Sequence, residues 1–286
     1  FTMPMRSAPS LAPMLAGFIL LLSATSSSAI ISVRPVRCDK LLRNLFVDLP
    51  TVAPAAIAAA CSPTVEWVDM DRTEPVRGPA AVEALLEEKF PSGSRLVVER
   101  LADGERSGGF TWHREADGIE GSGLRGITYV ELDEAGQIEF VQEGAEPLFK
   151  LDKLLEALLV AANANKDPDG DESKPPPSYE KRTPTTATGI VSYLWEVAYP
   201  GGATPTEALE FFADDVVYED FNYREPFVGL PAVSEYIGLL DVFPNFVFIS
   251  ERISEGKRGC CLTWRCEVNG EPGPSGISFN EVDADG

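Results

Sequence analysis

Apolar residues along this chain switch between a helical and a strand period, and the same succession of periods occurs twice. In CDKLLRNLFVDL (38–49) and APAAIAAAC (53–61) they recur at three- and four-residue spacing, the signature of helices with one face on a core. VEWVDM (65–70) alternates as a short strand, and PAAVEALLEEKF (79–90) returns to the helical period. Long alternating runs follow at SRLVVERL (94–101), GGFTWHRE (108–115), GITYVELD (126–133) and QIEFVQEG (137–144), with FKLDKLLEALLVAANA (149–164) helical behind them. After a gap the order begins again. TGIVSYLWEVAY (188–199) and TPTEALEFF (204–212) predict helices, the second opened by Thr204 as N-cap, Pro205 at the first position and Glu207 closing a capping box. VVYEDF (216–221) is a strand, LPAVSEYIGLLDVF (230–243) a helix, and NFVFISERI, CCLTWRCEV and GISFNEV are strands.

The two series match residue by residue. VEWVDMDRTEPVRGPAAV (65–82) aligns with VVYEDFNYREPFVGLPAV (216–233), pairing Asp69 with Asp220, Glu74-Pro75 with Glu225-Pro226 and Gly78 with Gly229. GFTWHREADG (109–118) aligns with CLTWRCEVNG (261–270), and GITYVELDEAG (126–136) with GISFNEVDADG (276–286). Three motifs in one order read as a tandem duplication of one domain. The expected layout is a targeting segment at 1–29, a first domain at 30–162, a linker at 163–184 and a second domain at 185–286. The linker is rich in proline and charge. The second copy reaches Gly286 at the turn after which the first continues into QIEFVQEG, so its last strand is expected to be missing. Phe1 ahead of Met3 reads as a cut start.

Composition narrows the partners. With a formal net charge of -21 and 44% hydrophobic residues, the chain can build two cores but is a poor match for nucleic acid. Residues 11–24, LAPMLAGFILLLSA, follow Arg6 and precede small residues up to Ala29, the layout of a signal peptide and too short for a confident span. The mature chain is therefore expected to have no membrane span. Secretion is the simple destination; the basic IISVRPVR behind the segment resembles the bipartite leaders of algal complex plastids, which makes plastid delivery the sharper one. Cys38, Cys61, Cys260, Cys261 and Cys266 form no C-x-x-C pair, and His113 is the only histidine, so no zinc site is expected. Buried thiols are the expectation, with a Cys38–Cys61 bridge open if their helices pack together. DPDGD (167–171) lacks the twelfth-position Glu of a calcium loop.

The run ADDVVYEDFNYREPFVGLPAVSEYI (213–237) resembles the nuclear-transport-factor-2-like (NTF2-like) superfamily, especially its SnoaL-like and ketosteroid-isomerase-like members. The resemblance implies an α+β fold of two tandem cone domains, each a curved antiparallel sheet wrapped on N-terminal helices. The sequence carries no cofactor motif, so no cofactor is expected. In the isomerases the Asp of this run is the general base; Asp220 and Asp69 hold that position, and Tyr193 is the counterpart of the oxyanion-donor Tyr. Ser278 and Thr128 stand where the isomerases carry a protonated Asp, and a hydroxyl there is a weaker donor than that acid. Ligand-contact candidates are Tyr218, Trp264 and Ser278 in the second copy and Trp67, Trp112 and Thr128 in the first. Trp112 and Trp264 are read first as core, and His113, with Thr111 and Glu115, as the opposite face. Such domains pair through outer sheet faces, so an internal pseudo-dimer is expected, with Thr111, His113 and Glu115 facing Thr263, Arg265 and Glu267. The functional expectation is a non-catalytic binding or interaction module for a small apolar ligand or protein partner. The alternative is an isomerase, cyclase or hydratase with Asp220 as base and Tyr193 as hydrogen-bond donor.

Overall fold

A computed structural model describes residues 36–91, 94–115, 123–151, 178–240, 246–268 and 270–286, which belong to one compact unit. The segment 1–29 expected to be a targeting signal, most of the expected linker and most of the helix expected at 149–164 lie outside the described residues. No described helix is long and apolar enough to cross a membrane.

In the first half, α1 (Cys38–Leu42) continues as a π-helical turn (Arg43–Val47), followed by α2 (Pro54–Ala60), β1 (Cys61–Asp69), β2 (Val76–Arg77) and α3 (Pro79–Lys89). Gly78 opens α3 at φ +83°, a conformation that glycine adopts without strain, with Pro79 at the first helical position. Then come β3 (Arg95–Leu101), β4 (Ser107–Glu115), β5 (Arg125–Leu132) and β6 (Ile138–Ala145). They form one sheet in the order β2-β1-β6-β5-β4-β3. The sheet is not wholly antiparallel as expected, because β6 returns to lie parallel to β1. The helices cover its inner face, and the buried side chains, Leu42, Ile57, Val65, Trp67, Leu86, Phe110 and Val141 among them, make a single core.

The second half repeats the order with α4 (Ala187–Ser192, continuing as a π-helical turn to Ala198), a 3-10 helix (Pro205–Phe211), β7 (Val217–Tyr218), β8 (Phe227–Val228), α5 (Leu230–Leu240), β9 (Phe246–Ile253), β10 (Gly259–Val268) and β11 (Glu271–Glu281). The predicted capping box is formed, with Thr204 N donating to Glu207 at 2.8 Å. The helix it opens is a single short 3-10 segment rather than an α-helix. Here the sheet is divided: β11-β10-β9 is one piece and the β7-β8 hairpin another. The core divides with it into three separate clusters.

The halves meet through β4, β5 and β6 on one side and β10 and β11 on the other, and the polar contacts are reciprocal at matched positions. Asp103 Oδ1 accepts from the amides of Arg258 and Gly259, while Glu255 Oε2 accepts from those of Glu105 and Arg106. Arg100 pairs with Glu281, and Arg252 with Glu131. Gly109 lies against its own counterpart, Cys261: a Cβ on the glycine would come within 2.6 Å of the cysteine's. Four of the six residues expected to cross this face bond within their own sheets instead. His113 Nδ1 bonds Glu99 at 2.8 Å, Glu115 pairs with Arg95, and Arg265 with Glu251 and Glu267. All five cysteines are buried free thiols, and Cys38 and Cys61 are not bridged.

Candidate functional site

The divided sheet leaves a cleft of about 1740 Å³ between α4, the 3-10 helix and β7 on one side and β9–β11 on the other. Its wall is aromatic. Trp195 stacks on Trp264 with centroids 6.3 Å apart, and Phe248 meets Trp264 edge-on at 5.6 Å. Trp264 Nε1 donates to Ser278 Oγ at 3.1 Å, which fixes the indole against β11. Tyr218 forms part of the opposite wall. At the mouth the first half contributes Arg125, which pairs with Glu219 and lies 5.2 Å from the Phe221 ring centroid. The structure thus gathers Tyr218, Trp264 and Ser278 at one cleft. Trp112 borders it from the first half, but its ring lies in that half's core, with Nε1 donating to Thr128 Oγ1 at 2.9 Å. Thr128 and Trp67 are buried and line no part of it.

Asp220 is elsewhere. It follows the end of the two-residue β7, where Oδ1 accepts from Asn222 N at 2.8 Å and from its Nδ2 at 3.0 Å, an Asx turn. Oδ2 accepts from Tyr236 Oη at 2.5 Å. Burial, then the Asp220 charge, pushes the Tyr236 phenol above its ordinary range, so it stays a donor at neutral pH. Tyr193 is buried between Tyr179 and Phe211, with ring centroids 6.4 and 5.7 Å away, and among the described residues its hydroxyl has no hydrogen-bond partner. It borders a shallow hollow of about 400 Å³ beside Arg182 and Glu196. Neither Asp220 nor Tyr193 lines the aromatic cleft.

Asp69 also sits at a strand end, with different company. Lys89 Nζ lies 3.0 Å from Asp69 Oδ2 and also bonds Glu143, and Arg72 is 3.7 Å from Asp69. Burial alone would lower the Lys89 ammonium, but Glu143 and Asp69 together hold it above its ordinary value. Glu143 is raised, because its lost hydration outweighs the pull of Lys89. The lysine side chain keeps 21% exposure against 5% for each carboxylate, so both carboxylates are drier than the cation they share. Sequence reasoning missed both Tyr236 and Lys89. Their signal lay in the aligned helices, where Leu85 stands opposite Tyr236 and Lys89 opposite Leu240. Each half puts one polar partner on the helix, at a different turn.

No protein-family model matches the chain, and no curated protein matches it. Among solved structures, a protein named as a candidate isomerase of the SnoaL-like family from Agrobacterium tumefaciens str. C58 is 21% identical with a TM-score of 0.28, covering 37% of this chain and 92% of that one. A protein named as a candidate ketosteroid isomerase from Kribbella flavida DSM 17836 gives 17% identity and a TM-score of 0.28, covering 44% of this chain and 75% of that one. A de novo designed protein with a curved β-sheet gives 17% and 0.32, covering 43% of this chain and 93% of that one. Likenesses this slight carry no argument about residues or activity.

Proposed function

We propose that this chain is a non-catalytic binding module of two nuclear-transport-factor-2-like halves in tandem, paired face to face as the internal counterpart of a dimer. Its second half offers the aromatic cleft to an apolar ligand. The observation that carries the reading is the separation of the acid–base candidates from the cleft. Asp220 has its oxygens taken by Tyr236 and Asn222, and Tyr193 is packed among rings away from it. The cleft itself presents Trp195, Phe248 and Trp264, surfaces suited to flat apolar molecules. The reciprocal contacts at Asp103 and Glu255 support the face-to-face pairing.

A neutral planar aromatic probe is expected to quench tryptophan fluorescence on binding. Trp264→Ala should weaken that binding by about tenfold or more, the loss of one buried aromatic contact. Tyr193→Phe removes only a hydroxyl that has no partner among the described residues and should leave affinity unchanged. The reverse pattern, Tyr193 essential and Trp264 indifferent, would move the site to the acid–base pair and sink the proposal.

A further inference from the structure

The stretch that leads into the second half is a strap lying along its first helix. Residues 178–185 form neither helix nor strand, and Thr186 then caps α4, its Oγ1 accepting from Gly189 N at 3.1 Å. The two ends of the strap are held unequally. At the helix end Ala187 N and Thr188 N donate to Lys257 O and Gly256 O, and Thr188 Oγ1 donates to Ser254 O at 2.8 Å. Thr186 is therefore a fixed hinge. At the far end, among the described residues, the backbone is tied by Ser178 N donating to Gly201 O at 2.9 Å. The Tyr179 ring meets the Tyr193 ring edge-on, with centroids 6.4 Å apart. Gly201 makes the seat for it: a Cβ there would come within 2.7 Å of Tyr179 Cβ. Lys181 lies 3.9 Å from Glu210, but both side chains are more than half exposed and such a pair holds weakly. Arg182 bonds Glu180 within the strap and adds no tie to the helix.

Two observations act against these few ties. Tyr193 is 5% exposed and, among the described residues, its hydroxyl has no hydrogen-bond partner. Covering it takes a phenol from water without replacing the bond it loses. The strap also fails to fill the space beneath it. Arg182, Thr183 and Pro184 on the strap and Ser192, Tyr193 and Glu196 on the helix border the hollow of about 400 Å³. A segment fixed at one end, lightly tied at the other and standing off its support opens locally before the fold does.

We propose that residues 178–184 are a strap that swings about Thr186 while α4 stays folded, and that Tyr179 is its latch. Release of the latch uncovers the Tyr193 hydroxyl beside Arg182 and Glu196, a polar site that the closed strap withholds. The device involves Tyr193 and not Trp264, so it holds or fails independently of the binding reading above.

The test follows three groups in the 286-residue chain. Tyr193 is nitrated with tetranitromethane and read by peptide mass spectrometry, and amide hydrogen exchange is read at Ser178 and at Ile190, whose N donates to Thr186 O in the first turn of α4. Local opening exposes little surface. Ser178 exchange and Tyr193 nitration should therefore stay level as urea is raised below the melt, while Ile190 exchange accelerates. Tyr179→Ala should nitrate Tyr193 about tenfold faster or more, with Ile190 as protected as in the native chain. Tyr179→Phe keeps the ring and should leave the Tyr193 rate unchanged. Tyr193 nitration that rises with urea in step with Ile190 requires global unfolding and overturns the proposal, as does a Tyr179→Ala variant without effect on Tyr193. If Tyr179→Ala strips Ile190 of its protection, Tyr179 belongs to the core rather than to a latch, and the proposal falls as well.

Discussion

At the scale of single residues, two matched aspartates have been given different tasks by their neighbours. Asp220 accepts from a phenol and an Asx turn, whereas Asp69 shares an ammonium with a second buried carboxylate. The sequence made the aspartates conspicuous because they match. Their partners stayed obscure, because Lys89 and Tyr236 are one helical turn apart in register and match nothing. The triad has a pH signature. Burial raises the Glu143 carboxyl above its ordinary 4.5 despite Lys89. Such a group contributes its stability below the unfolded value and loses it as pH rises through the folded value. Glu143→Gln keeps an acceptor, removes the charge and leaves Lys89 balanced by Asp69. The variant is expected to match the native chain near pH 4 and to be more stable by about 1–2 kcal/mol at pH 7. Lys89→Met should instead cost about 3–5 kcal/mol at pH 7, since two carboxylates lose their shared cation. Urea melts across this pH range check both; a Glu143→Gln variant less stable at pH 7 than at pH 4, relative to native, would reverse the sign and refute the account.

At the scale of elements, apolar periodicity predicted the strands and helices, but some lengths and the 3-10 character depended on partners it could not show. VVYEDF alternates over its whole run, yet only Val217–Tyr218 are strand, and among the described residues they pair with the two-residue β8 alone. The bends in the sheet were equally hidden. Pairing skips Glu99 between β3 and β4 and the matched Glu251 between β9 and β10, and such bulges sharpen the local twist. Beside each bulge a tryptophan crosses a glycine of the next strand. A Cβ on Gly126 would stand 2.2 Å from Trp112 Cζ2, and one on Gly276 2.3 Å from Trp264 Cζ2. The geometry is the same but the surroundings differ. Trp112 is closed in by its core, while Trp264 borders open space. Gly126→Ala should therefore destabilise by about 1–3 kcal/mol, as overpacking does. Gly276→Ala should cost less and shift the Trp264 emission as the indole swings into the cleft and leaves Ser278. Equal losses in thermal melts, with no spectral change, would mean the cleft gives Trp264 no room to move.

At the scale of the whole molecule, the sequence disclosed the matching motifs and which strand faces look outward, but not where along the strands the halves cross. Alternation fixes a face and leaves position on it free, so Thr111, His113 and Glu115 were as eligible as any outward residues. The contacts fall nearer the 101–107 and 254–259 turns, where Gly104 and Gly256 let the backbones approach closely: a Cβ on Gly104 would lie 2.5 Å from Glu255 O, and one on Gly256 2.9 Å from Asp103 Oδ1. The same turns receive the helices, Cys38 N and Asp39 N donating to Glu105 O and Gly104 O, and Ala187 N and Thr188 N to Lys257 O and Gly256 O. Each turn therefore holds its own first helix and the opposite turn at once. Asp103→Ala and Glu255→Ala each strip two backbone amides of their acceptor and should each cost about 1–2 kcal/mol. Because both act across one interface, the double variant should depart from the sum by about 0.5 kcal/mol or more. Sedimentation should find the 286-residue chain as a monomer, the sheet faces between its halves satisfied within the molecule. Strict additivity, or a stable homodimer built from matching halves, would break the proposed internal pairing and free those faces for another copy.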